Sequence, residues 1–114
     1  MSMKRKVFRI EKTPNIRKYV LELLRQIPKG KITTYKELAL ALGDEIASKA
    51  IGKILNENLD VDKYPCYKVV HSNGDIGGYS LGIAEKERRL KADRINVING
   101  RIENFERLIF RDFK

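Results

Sequence analysis

The chain has a single cysteine, and its neighbours decide what that sulfur can do. It lies in Pro65-Cys66-Tyr67-Lys68-Val69-Val70. Proline presets the backbone directly before the sulfur, and the β-branched pair after it predicts a short strand over 66–70. Val61 and Tyr64 just upstream make the surroundings apolar. A thiol so placed is either buried filler or a nucleophile held at the mouth of a pocket, and nearby lysines or a helix terminus could promote its thiolate. The only histidine, His71, follows in the same run. Alternation along a strand puts positions 66 and 71 on opposite faces, so His71 is not expected to act as the base for Cys66 but to face solvent or a turn carbonyl. One cysteine and one histidine do not make a tetrahedral ligand set, so no metal is expected.

At 114 residues the chain can form one domain with a modest core. Lysine and arginine number 24 against 15 acidic residues, a net charge of +9. That excess fits a nucleic-acid binder, although lysines spread over a solvated surface would give the same total. A lone cysteine cannot form an internal disulfide, so nothing implies secretion. No run is long enough to span a bilayer and no apolar signal segment follows Met1. No helix pairs a basic face with bulky exposed aromatics, so no membrane partner is expected, and the default location is the cytoplasm.

The surrounding elements must position the cysteine. Thr13-Pro14 reads as a helix start, with Ile16, Val20, Leu23, Leu24 and Ile27 at helical spacing and Pro28-Lys29-Gly30 as the stop. Thr34-Tyr35-Lys36-Glu37 is a capping-box pattern that opens a short helix through Leu42, ended by Gly43. Asp44 can cap a third helix, in which Ile46, Ala50, Ile51 and Ile54 form an apolar stripe and Lys49, Gly52, Lys53 and Asn56 the other side. Two short helices joined by a tight glycine-containing turn read as a helix-turn-helix, whose second helix offers small residues and lysines to a phosphate backbone. Ser72-Asn73-Gly74-Asp75 is a turn, and Gly77-Gly78 leaves room for a close approach. Residues 83–92 form a charged helix, and Asn99-Gly100 marks a hairpin.

Taken in order, Gly30-Lys31-Ile32-Thr33-Thr34-Tyr35 with Leu38, Lys49-Ala50-Ile51-Gly52, Asn58, the Pro65-Cys66 segment, Gly77-Gly78-Tyr79-Ser80-Leu81-Gly82 and Lys86 resemble the C-terminal domain of the O6-alkylguanine-DNA alkyltransferases. The resemblance implies one α/β domain with a winged-helix-like helix-turn-helix core and a short strand carrying the cysteine. It covers a DNA-binding and active-site unit over 13–94; the residues themselves add a basic segment over 1–12 with an edge strand expected at 7–10, and a hairpin and apolar tail over 95–114 expected to dock on that unit.

The implied function is repair by single-turnover transfer of an alkyl group from O6-alkylguanine, flipped out of duplex DNA, onto Cys66. The protein is itself the acceptor, so no cofactor is expected; it would act as a monomer. By the same resemblance Tyr35 donates to the flipped base, Asn58 braces the active-site turn, Lys86 orients the tyrosine, and Tyr67 and Asp93 stand where the family has a proton-relaying histidine and its glutamate. Val69 and Ser80 would read the guanine edges, with Tyr79, Leu55 and Val61 as pocket walls. Thr34, Lys36, Ala47, Ser48, Lys49, Ala50, Gly52, Lys53, Asn56 and Ser72 would face DNA, with Lys49 in the place of an arginine that enters the base stack.

Three departures bear on mechanism: Tyr67 and Lys68 replace the family's His and Arg, Asp93 replaces the glutamate, and Lys49 replaces the arginine. A tyrosine with an ordinary pKa of about 10 is a poor base at neutral pH. The short length resembles the alkyltransferase-like proteins, which bind alkylated DNA without repairing it but lack the cysteine. The first alternative is therefore a lesion-binding module with Cys66 silent. The second is a transcription regulator that uses the helix-turn-helix alone.

Overall fold

The apolar positions near the amino end do form a helix: α1, Ile16–Leu24, buries Val20, Leu21, Leu23 and Leu24. The structure, a computed structural model, describes residues 16–43 and 48–114. The expected start at Thr13-Pro14, the edge strand at 7–10, and Asp44, Ile46 and Ala47 lie outside the described residues.

Strand β1 is Thr33–Thr34 and helix α2 is Tyr35–Ala41. Half of the capping box forms: Thr34 Oγ1 accepts from the Glu37 backbone N–H at 3.0 Å, while the Glu37 carboxylate accepts from Arg111 Nε at 3.1 Å. Losing such a cap costs about 1 kcal/mol. Gly43, at φ +79, follows the end of α2. Helix α3, Ser48–Asn56, packs on α2 and α1. Its buried stripe is Ile51, Ile54 and Leu55. Ala50, expected in that stripe, is exposed, because it lies one residue, about 100° of helical rotation, from Ile51.

Strand β2, Val69–Val70, pairs in parallel with β1, Thr33 opposite Val69. This pair lies between two cores. One joins α1, α2 and α3 with Cys66 and Val69. The other gathers Ile32, Val70, Ile76, Leu90, Ile95 and Ile102. Helix α4 is Ile83–Ala92, and strands β3 (Val97–Ile98) and β4 (Arg101–Ile102) form the expected hairpin. Asn99 and Gly100 at its tip both have positive φ, 53° and 78°, as a type I′ turn requires. After α5, Phe105–Leu108, the tail runs beside β1: Ile32 N–H donates to the Leu108 carbonyl at 2.9 Å, and Phe110 N–H to the Ile32 carbonyl at 2.6 Å. Phe110 and Phe113 meet edge to face against the first core.

One expected element differs. Cys66–Lys68 is a 3₁₀ turn, and the strand begins only at Val69. Pro65 lies outside the strand region at ψ 71°, and the Lys68 N–H turns back to the Pro65 carbonyl at 3.1 Å. Strand alternation therefore does not relate Cys66 to His71.

Candidate active site and DNA-binding face

The 3₁₀ turn lodges Cys66 against the first core at 5% exposure. Asn58 holds it there. Its Nδ2 donates to the Tyr64 carbonyl at 2.9 Å and to Cys66 Sγ at 3.3 Å, while its Oδ1 accepts from Asp60 N–H at 2.9 Å. Burial pushes the thiol above its ordinary pKa, opposed by the Asn58 hydrogen bond and by the charges of Lys86 and Arg89.

Cys66 opens on a small pocket of about 40 Å³. α3 contributes Gly52, Leu55 and Asn56; Tyr35 comes from the start of α2; Gly78, Tyr79 and Ser80 come from the glycine loop. Burial raises both phenols, Tyr79 to about 12, and the nearby Cys66 adds to each. Both are therefore hydrogen-bond donors at neutral pH. The Tyr79 hydroxyl is buried without a hydrogen-bond partner among the described residues.

Lys86 is 1% exposed. Its ammonium donates to the Val69 carbonyl at 2.9 Å, to that of Gly78 at 3.0 Å, and to that of Ile76. It thus ties β2 to the glycine loop rather than orienting a tyrosine. Desolvation lowers its pKa to about 8. Val69 is fully buried, outside the pocket walls, and its carbonyl is taken by Lys86.

A second, larger groove of about 370 Å³ has Val61, Tyr67, Asp93 and Arg89 in its walls. Tyr67 and Val61 thus line this groove and not the cysteine pocket. Burial and the Asp93 carboxylate push Tyr67 to about 12, so it is no base for the thiol. Asp93 is shared: besides its hydrogen bond with Tyr67, it has Lys68 Nζ 2.9 Å from its Oδ2, with both side chains buried, and that ammonium also donates to the Pro28 carbonyl at 2.7 Å. The acid expected behind position 67 neutralises a buried lysine, whose length lets it fold back across the turn.

Residues 15–95 match the family 6-O-methylguanine DNA methyltransferase, DNA binding domain. The chain belongs to this family. A bifunctional methyltransferase/endonuclease of Picrophilus torridus is 53% identical over 95 residues, covering 83% of this chain and 32% of that protein. The O6-methylguanine-DNA methyltransferase structure from the hyperthermophilic archaeon Pyrococcus kodakaraensis superposes with a TM-score of 0.64 at 36% identity, over 72% of this chain and 47% of that one. S. pombe Atl1, crystallised with damaged DNA containing O6-carboxymethylguanine, gives 0.74 at 20% identity over 90% and 98%, a likeness of fold alone. The chain spans about a third of the first relative's length and about half of the second's.

On this methyltransferase-family domain α3 exposes Lys49, Ala50, Lys53 and Asn56, next to the pocket that its Gly52 and Asn56 help line. A Cβ at Gly52 would meet nothing within 4 Å, so the helix surface there is open. Lys36 and Ser72 are exposed too. Thr34 is 3% exposed and spends its hydroxyl on the α2 cap, so its side chain does not face DNA. Ser48 begins α3. Among the described residues no three of His, Cys, Asp and Glu could hold a metal ion, and no helix is long and apolar enough to cross a membrane.

His71 is exposed, as expected of a residue that faces solvent, and its ring also lies 5.3 Å from that of Tyr35, a contact that was not expected. The signal was Gly77, whose missing side chain makes room for that imidazole. Arg89, which reaches both Glu85 and Asp62 at the rim of the larger groove, carried no signal of its own.

Proposed function

We propose that this domain repairs O6-alkylguanine in double-stranded DNA by moving the alkyl group onto Cys66, once per molecule. What carries the reading is the placement of the only thiol of the chain in a pocket walled by two undissociated phenols, beside a helix face bearing Lys49 and Lys53. The sulfur attacks the alkyl carbon. An S–C bond forms as the C–O6 bond breaks, the electron pair leaves with guanine, and the proton lost by the thiol balances the one the guanine regains through solvent. Tyr35 and Tyr79 donate hydrogen bonds to the base as its charge develops. Tyr67 takes no part in proton transfer, so the thiolate forms without a general base, favoured only by the Asn58 hydrogen bond and the charges of Lys86 and Arg89. The protein works as a monomer in the cytoplasm and needs no cofactor.

One observation favours a second reading, a lesion-binding domain with a silent cysteine: burial keeps the thiol protonated, and among the described residues no imidazole or carboxylate hydrogen-bonds to it. Intact mass after incubation with excess methylguanine duplex separates the two. Transfer predicts one added methyl, mapped to the Cys66 peptide and abolished by Cys66→Ala. Unchanged mass with retained lesion binding refutes transfer.

A further inference from the structure

The lone histidine has a built environment that the transfer reading leaves unused. Its ring stands 5.3 Å from the Tyr35 ring, the planes tilted by 41°. Behind it runs Gly77, at φ +73, where a Cβ would come within 2.7 Å of Nε2 and 2.9 Å of Cδ2. The residue is exposed, yet one edge of the imidazole lies against the Gly77 backbone and its ring contacts that of Tyr35. Its own backbone is pinned as well: His71 N–H donates to the Asp75 carbonyl at 2.9 Å, and its carbonyl accepts from Gly74 N–H at 2.9 Å.

Tyr35 needs such support. Its backbone is set by the Thr34 cap, and one side of its ring packs on the first core. Among the described residues no group hydrogen-bonds its hydroxyl, so ring packing alone aims the phenol. Lys86, the residue expected to orient it, is committed to three carbonyls.

We propose that His71 is a positioning residue: its ring holds the Tyr35 phenol aimed into the Cys66 pocket and so sets the preference for an alkylated base over guanine. The inference rests on the reading that the pocket takes a flipped base. Without the imidazole, Tyr35 can swing over Gly77, and a donor displaced by roughly 1 Å can lose up to about 10²-fold of its effect.

The test uses Cys66→Ala protein, so that chemistry does not intervene, and compares Kd for a methylguanine duplex with Kd for the unmodified duplex. Adding His71→Ala should lower that preference about tenfold with affinity for unmodified DNA unchanged. His71→Phe, which keeps a ring in the slot, should restore it. In a Tyr35→Phe background His71→Ala should cost nothing further, because the hydroxyl it aims is gone. An unchanged preference in His71→Ala overturns the role. So does an equal loss on unmodified DNA, which would make His71 a backbone contact, and so does a full additional loss on top of Tyr35→Phe. A Cys66→Ala protein with no preference at all refutes the base-flipping reading itself and this role with it.

Discussion

The pH dependence of methyl transfer tests most directly how Cys66 is activated. A thiol at its ordinary pKa of about 8.5 is about 3% ionised at pH 7. Burial raises Cys66 above its ordinary value, so its thiolate fraction is smaller still. The sign follows: the transfer rate on bound DNA should climb about tenfold per pH unit from 6 to 8, the slope of a group titrating above the measured range. Above pH 8 the climb should flatten, because Lys86, with its pKa lowered to about 8, loses the charge that favours the thiolate. The removal of Tyr67's hydroxyl should leave this profile in place, since that phenol faces the other groove and is held near 12. The assay is a single turnover with saturating protein and methylguanine duplex, quenched at intervals, with methylation of the Cys66 peptide read by mass. Tyr67→Phe should stay within about threefold of wild type at every pH, the loss of one hydrogen bond to a group outside the pocket. A plateau below pH 7, or a Tyr67→Phe rate down a hundredfold, refutes the reasoning; either would mean that a base acts on the thiol.

Further outcomes follow from the buried charges and the basic helix. Lys86→Met strands three carbonyls at about 2 kcal/mol each and recovers about 3 kcal/mol of desolvation cost, so urea unfolding should show a net loss of about 3 kcal/mol; a more stable variant refutes the clamp. Asp93→Asn leaves the Lys68 ammonium buried beside a neutral amide and should cost about 3–5 kcal/mol, whereas a loss under 1 kcal/mol would show that the pair is open to water. Lys49→Ala and Lys36→Ala should each reduce the slope of log affinity against log salt by about 0.9 if each meets one phosphate. Only Lys49→Ala should also weaken lesion preference, and equal effects of the two would remove its place in the base stack.

Local chemistry was legible in the chain itself. The Thr34 cap, the Asn99-Gly100 turn and the span of α4 depend on residues within a few positions of one another, whose steric and hydrogen-bonding preferences act in any context. The ordered motifs around Cys66 were likewise readable as a family pattern, matched over residues 15–95. Asn58 donates to the sulfur at 3.3 Å. What the chain alone left open were the directions of side chains whose partners are far away in sequence. Lys68 meets Asp93 and Pro28; Lys86 meets Val69, Ile76 and Gly78; His71 meets Tyr35. A buried ammonium takes whichever carbonyls and carboxylates the fold brings within about 3 Å, since leaving it unpaired costs several kcal/mol. That competition is resolved by packing and not by spacing along the chain. It is why Tyr67, adjacent to the cysteine in sequence, faces another groove, and why the cysteine sits on a 3₁₀ turn where β-branched neighbours spelled a strand.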